Sequence, residues 1–233
     1  MKKLLFTLFT ISAIFTSCNK NENNASIVGD VYLVTQRSGE NILYGLSLHA
    51  YSFYALSSVT VSPNAEPGTT YHLQEYPGFK TDFYYDTPES ELSTEKPAPG
   101  NYHFTASFEN GKTNEADDYL AADFLVPPVI TSCSYDVSSE KATIEWETVT
   151  GADLYVIKLY EGDELVLLSP AIDPSVTKVE FNAASSSWGQ NYTPATGTNF
   201  VARLSAFKYE AGGDSYNVQA STFADDNLLW GEE

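Results

Sequence analysis

The chain has 233 residues, 12 basic against 31 acidic side chains for a formal net charge of −19, and two cysteines. That acid excess excludes nucleic-acid binding, because a phosphate backbone is held chiefly through Lys and Arg. Two cysteines exclude a disulfide framework or a cysteine-rich zinc cluster, and with 42% hydrophobic and 18% charged residues most of the chain is expected to fold.

Met1-Lys2-Lys3 is a short positive start, and residues 4–17 are apolar or small hydroxyl residues. A bilayer-spanning helix needs about 20 apolar residues, so residues 1–17 read as a signal peptide rather than a permanent span. Phe15-Thr16-Ser17-Cys18 then places small residues directly before a cysteine. This resembles a bacterial lipobox, with Phe15 standing where that pattern usually has Leu. The resemblance implies a diacylglycerol on the Cys18 thiol and an acylated new N-terminus. At about 0.8 kcal/mol per buried methylene, two or three acyl chains would hold the protein on a membrane. The polar residues 18–26 read as a tether carrying that anchor. Asn19 after the cysteine points, within the resemblance, to the outer membrane, on its periplasmic or external face. Without residues 1–17 the chain carries 10 basic and 31 acidic side chains, a net of −21.

From residue 27 onward the apolar runs are short, alternating and rich in Val, Ile, Thr, Tyr and Phe. Turn signals such as Tyr76-Pro77-Gly78, Pro97-Ala98-Pro99-Gly100, Glu109-Asn110-Gly111 and Gly162-Asp163 interrupt them. This pattern predicts an all-β chain of sandwiches. In the first half strands are expected over 28–36, 46–54, 57–62, 70–75, 81–85, 101–109 and 119–126. Only residues 115–121 and 225–230 suggest a helical turn. Val126-Pro127-Pro128-Val129 reads as a semi-rigid hinge, because consecutive prolines stiffen the chain and cannot donate ladder hydrogen bonds. It divides an N-terminal sandwich over 27–127 from a second over 128–233 with a short acidic tail.

The second half predicts strands from 129, over 142–146, 154–160, 164–169, 176–181, 199–207 and 216–223. Ala142, Ile144 and Trp146 should face the core, as should Tyr155, Ile157 and Leu159, and Phe200, Ala202, Leu204 and Ala206. Seven strands with a Trp on the second, a Tyr early in the third and an aromatic opening the sixth resemble a fibronectin type III domain. Phe200 stands where that pattern has a corner tyrosine, and lacks its hydroxyl. The first half carries Gly100-Asn101-Tyr102-His103-Phe104-Thr105-Ala106, a form common before the last strand of immunoglobulin-like modules. The expectation is two tandem immunoglobulin-like β-sandwiches, the second fibronectin type III-like.

No residue pattern demands catalysis. Gly45-Leu46-Ser47-Leu48-His49 lacks the second glycine and the following helix of a serine elbow. His49, His72 and His103 are scattered, and neither Asp117-Asp118 with Asp123 nor Asp225-Asp226 has the spacing of a preformed calcium loop. No metal and no cofactor is expected. Cys133 has no basic neighbours in sequence and reads as a small buried apolar group. The aromatic residues remain. In Phe83-Tyr84-Tyr85 alternation must send at least one ring outward, and Trp188 and Tyr192 lie in a loop at a sandwich end. Exposed rings beside acidic and amide side chains are what stacking on sugars requires, so Phe83, Tyr84, Tyr85, Trp188 and Tyr192 are the candidate ligand-binding residues. Trp230 is expected to tuck against the second sandwich. Together these readings predict a non-enzymatic cell-envelope binding or adhesion module, held on a membrane by its lipid, with a protein or glycan partner. An accessory lipoprotein of a polysaccharide-uptake system and a fimbrial subunit or anchor are the alternatives.

Overall fold

Alternating β-branched, aromatic and polar residues produce strands throughout residues 26–211 and 217–232, the part of the chain that the computed structural model describes. The expected signal peptide, Cys18 and nearly all of the tether lie outside these residues. The first half forms β1 (Ile27–Ser38), β2 (Asn41–Ser52), β3 (Leu56–Pro63), β4 (Tyr71–Tyr76), β5 (Phe79–Asp86), β6 (Gly100–Phe108) and β7 (Thr113–Leu120). All of their pairings are antiparallel, in the order β1-β2-β5-β4-β3-β6-β7. Strand β4 bonds to both β5 and β3, so the sheet folds there into two layers, β1-β2-β5-β4 and β3-β6-β7. Four strands facing three in this connectivity is the constant-type immunoglobulin arrangement. Leu33, Leu48, Val61, Phe104 and Ala106 fill the space between the layers and are fully buried. At Gly29 on β1 an added Cβ would lie 2.6 Å from the Phe104 ring, so only glycine lets the layers approach this closely here.

Strand β7 occupies 113–120, where the sequence suggests a helical turn and places the strand later. The Asn110-Gly111 turn closes a tight hairpin with β6, which fixes where β7 begins. Its inward side chains include Asn114 and Asp118, which hides the apolar alternation. Both serve the backbone of β1: Ile27 N–H donates to Asn114 Oδ1 at 3.2 Å and Val31 N–H to Asp118 Oδ2 at 2.7 Å. Polar side chains thus replace ladder bonds where the two layers meet.

The second half forms β8 (Ile130–Asp136), β9 (Lys141–Trp146), β10 (Leu154–Glu161), β11 (Glu164–Leu168), β12 (Lys178–Phe181), β13 (Asn199–Tyr209) and β14 (Val218–Leu229). The three-stranded sheet β12-β9-β8 faces the four strands β11-β10-β13-β14. This three-on-four sandwich matches the fibronectin type III-like expectation in strand number and pairing. The predicted inward residues of β9, β10 and β13 are all buried, and Trp230 is 3% exposed. Residues 225–229, expected as a possible helical turn, continue β14 instead, paired with β13 from Asn199↔Leu229 to Arg203↔Asp225. Long pairing with a central strand overrides the local preference of Asp225-Asp226-Asn227. The hydroxyl that Phe200 lacks is supplied from another strand: Val149 N–H donates to Tyr155 Oη at 2.8 Å within the core.

The reading of Pro127-Pro128 as a hinge does not foresee a further tie. Strand β14 pairs in parallel with β1, Leu33↔Ala220 through Gln36↔Phe223. The outer sheet therefore runs without a break from β11 in the second sandwich to β4 in the first. The tie is satisfied internally. Thr35 Oγ1–H donates to the Leu125 carbonyl at 2.7 Å, and Thr222 Oγ1–H to the Thr35 carbonyl at 3.0 Å, both buried. After β5, residues 87–93 form a strap across β2, carrying a single 3-10 turn at Glu89–Glu91. Thr87 and Leu46 share three hydrogen bonds, and Tyr44 and Ser93 exchange two. At Gly45 an added Cβ would collide with Leu92 Cδ2 and lie 2.8 Å from Thr87 Cβ, so the missing side chain lets the strap lie flat.

Candidate functional site: an aromatic face on the first sandwich

Strand alternation separates the three rings of Phe83-Tyr84-Tyr85. Phe83 is 6% exposed and belongs to the core, and Tyr85 packs against that core with its ring 5.1 Å from Tyr71. Neither presents a face to a ligand. Tyr84 points outward, opposite His49 on β2 and Gln74 on β4. This corrects the candidate set: one ring of the three is available.

Around Tyr84 the outer face of β1-β2-β5-β4 carries a ladder of rings. Tyr32 stacks on His49 with centroids 5.7 Å apart and planes 7° from parallel. His49 follows to Tyr84 at 6.3 Å, Tyr84 to Tyr76 at 5.7 Å, and Tyr76 to Phe79 at 5.9 Å. Tyr76 is 51% exposed and Phe79 58% exposed, because the Pro77-Gly78 turn lifts both rings clear of the sheet. With His49, Tyr51 and Asp82 they border an open cavity of about 430 Å³. Tyr76 and Phe79 are noticed in the sequence as part of an aromatic cluster. Their partnership with His49 is not, since it depends on β2 and β5 being neighbours.

The inner end of the ladder is polar and closed. Ser47 Oγ–H donates to Asp86 Oδ1 at 2.5 Å, and Ser47 Oγ lies 2.9 Å from His49 Nε2. A hydroxyl has one proton, and here it goes to the carboxylate, so Ser47 does not also donate to His49 Nε2, which lies 3.2 Å from the Tyr32 hydroxyl as well. A serine-protease-like triad needs the reverse order, serine to histidine to carboxylate. Ser47 is also buried. Burial holds the His49 imidazole below its usual pKa, opposed by the charges of Asp86 and Asp82, and lifts the Tyr32 phenol above its usual range. The network fixes the ladder in place.

Trp188 and Tyr192 lie far from this face. The segment around Trp188 adds to the edge of β11: Gly189 N–H donates to the Val166 carbonyl at 2.8 Å and Leu168 N–H to the Ser187 carbonyl at 3.0 Å. Trp188 is half-buried among Phe181, Tyr192, Phe200 and Trp230, with its indole N–H donated to the Asn182 carbonyl at 2.8 Å. Tyr192 Oη–H donates to Glu161 at 2.7 Å. A loop position gives a large ring little reason for burial by itself. The ring cluster at the open end of the sandwich supplies one. Trp188 and Tyr192 are therefore brought together, but as a lid on the core more than as a free platform.

The carboxylates considered for calcium are engaged elsewhere: Asp117 with His103, Asp118 with the Val31 backbone, Asp123 with Lys208 and Asp225 with Arg203. Among the described residues no group of three His, Cys, Asp or Glu side chains is placed to hold a metal. Cys133 is a half-buried free thiol against the second core, and burial with the nearby Asp226 charge pushes its pKa up to about 12. Among the described residues no helix is long and apolar enough to cross a membrane.

No protein-family model and no curated protein sequence matches the chain. Among solved structures it is similar to a cytokine receptor complex, at 12% identity over 88% of this chain and 98% of that one, with a TM-score of 0.34. It is similar to the FN1–FN3 domains of chicken CNTN1 at 11% identity over 86% of this chain and 64% of that one, TM-score 0.27. It is also similar to a 1.5-MDa bacterial ice-binding adhesin at 13% identity over 90% of this chain and 67% of that one, TM-score 0.28. Superpositions this loose carry no functional argument, and the fold assignment rests on strand order and pairing within the chain itself.

Proposed function

We propose that the chain is a non-enzymatic binding module of the bacterial cell envelope, and that the aromatic face of its first sandwich holds a glycan. The observation that carries this reading is the cluster of exposed Tyr76 and Phe79 with half-buried Tyr84 over a cavity large enough for a small ligand, backed by a ladder of packed rings. Sugar rings offer patches of C–H to an aromatic face, and Asp82 at the rim accepts hydroxyl protons. The strongly acidic chain favours a neutral glycan over a polyanion. Within this reading Cys18 carries the lipid anchor, and the protein serves as an adhesin or as an accessory glycan-binding lipoprotein of a polysaccharide-uptake system.

Calorimetric titration against a panel of neutral polysaccharides tests the site. Tyr84→Ala and Tyr76→Ala are each expected to weaken binding about tenfold, equivalent to about 1.4 kcal/mol, while Trp188→Ala leaves it nearly unchanged. Silence across the panel, or full affinity in a correctly folded Tyr84→Ala protein, removes the glycan reading. The anchor is tested separately by fractionating cells that express Cys18→Ala. The variant should leave the membrane pellet, and its retention there would refute lipidation at this residue.

A further inference from the structure

The turn between β2 and β3 carries Phe53 at 97% exposure and Tyr54 at 56%. Neither ring borders the cavity under Tyr84. The turn that holds them out is braced on both sides. Tyr54 N–H donates to Ser52 Oγ at 3.1 Å, Ser52 Oγ–H donates to the Ser26 carbonyl at 2.8 Å, and Glu109 N–H donates to the Ala55 carbonyl at 3.1 Å.

Strand register places this turn at one end of the first sandwich. The start of β1, the Pro77-Gly78 turn and the Asn110-Gly111 turn lie at the same end. Of the large apolar side chains exposed on this sandwich, Val28, Phe53, Tyr54, Tyr76 and Phe79 lie here, and Tyr119, Phe124 and Val126 at the other end. The carboxylate of Glu109, next to the turn, is matched by the Lys80 ammonium. Ser26 is also the residue through which the chain leads back to Cys18. Eight residue steps span at most about 29 Å even when fully extended. A lipid on Cys18 would therefore hold this end close to the bilayer whatever path the tether takes.

We propose that the Phe53-Tyr54 turn docks into the interface of the membrane that carries the anchor, Phe53 entering the acyl boundary and the Tyr54 hydroxyl staying among the headgroups. The inference rests on lipidation of Cys18 and is independent of the glycan reading. Aromatic rings with one apolar and one polar end suit that boundary. The size of the patch favours a bilayer over a protein partner. Two rings of about 150–250 Å² each fall short of the roughly 800 Å² per partner in a stable protein interface. A second, weak membrane contact is instead what an acyl anchor needs to set a fixed orientation. With a formal net charge of −19 the body is repelled from an anionic surface, so the contact is local and apolar and works on a zwitterionic one.

The test uses protein purified from membranes and reconstituted in phosphatidylcholine vesicles, with and without bromine on the acyl chains. Phe53→Trp supplies the reporter. Trp146, Trp188 and Trp230 lie in the second sandwich, so wild-type emission is the background to subtract. Brominated lipid should quench the added ring by roughly half or more, as it does rings seated at the acyl boundary. Tyr119→Trp, at the opposite end, should be unaffected. Wild type gives a check free of substitution: nitroxide-labelled lipid should broaden the Phe53 and Tyr54 resonances and spare Tyr119. Lipidated protein whose residue 53 responds to neither label overturns the docking and leaves the anchor standing. Shielding of residue 53 from acrylamide without bromine quenching also overturns it, in favour of a protein or a second copy. An unmodified Cys18 thiol in the mass spectrum of the same preparation removes the anchor, and the membrane as occupant with it.

Discussion

A carboxyl group taken out of water keeps its proton more tightly, and Asp30 shows the effect. It is 5% exposed on β1, and burial raises its pKa from 3.8 to about 7, with the charges of Asp118 and Glu210 adding to the rise and the Val218 N–H opposing it. Because the folded state binds this proton more tightly than the unfolded state does, the linkage has a definite sign. The stabilising contribution of the protonated form is complete below about pH 4 and fades as pH rises through 7. His49 acts in the opposite direction, since burial lowers its pKa and the folded state favours the neutral ring. The difference between two proteins isolates the aspartate. Asp30→Asn should be more stable than wild type at pH 8, on the order of 1–3 kcal/mol, with the gap closing toward pH 4. Chemical denaturation at the two pH values measures it, and a gap independent of pH would show that the carboxyl does not titrate in this window.

At the scale of elements, the parallel pairing of β1 with β14 decides how the two sandwiches behave. Four residue pairs and the buried hydroxyls of Thr35 and Thr222 close this contact. Removing both hydroxyls takes a buried donor from the Leu125 and Thr35 carbonyls, and a buried hydrogen bond of this kind contributes about 0.5–1.5 kcal/mol. Wild type is expected to unfold in one calorimetric transition, and the Thr35→Val, Thr222→Val protein in two. Two transitions in wild type would mean that the shared sheet does not couple the modules. The exposed Lys208–Asp123 pair across the same seam has little bearing on this, since surface ion pairs contribute about 0–1 kcal/mol.

For the molecule as a whole, the elements written in period-two alternation were legible in the sequence. Ala142-Ile144-Trp146, Tyr155-Ile157-Leu159 and the Phe200–Ala206 face all point inward as their spacing requires. Strand β7 was not legible, because Asn114 and Asp118 face inward to serve another strand's backbone and erase the apolar signal. The candidate site was half legible. Alternation guaranteed one outward ring among Phe83, Tyr84 and Tyr85, but His49 joins Tyr84 only through a strand pairing that no local pattern announces. Trp188 shows the converse error, for a loop residue can still be half-buried when four rings gather around it. A cavity at the seam between the sandwiches was invisible, since Lys158 and Tyr32 share its floor only once β14 has reached β1.

That last contact also sets a schedule for biogenesis. The bond from Thr222 to Thr35 bridges a sequence separation of 187 residues. A nascent chain must therefore be synthesised past residue 223 before the far end of β1 is sealed. Until then Leu33–Gln36, paired with β2 on one side, presents an open edge on the other, available to the β14 of a neighbouring copy as readily as to its own. Polypeptides stalled before residue 220 would share this hazard, and quality control of the protein should turn on whether β14 arrives.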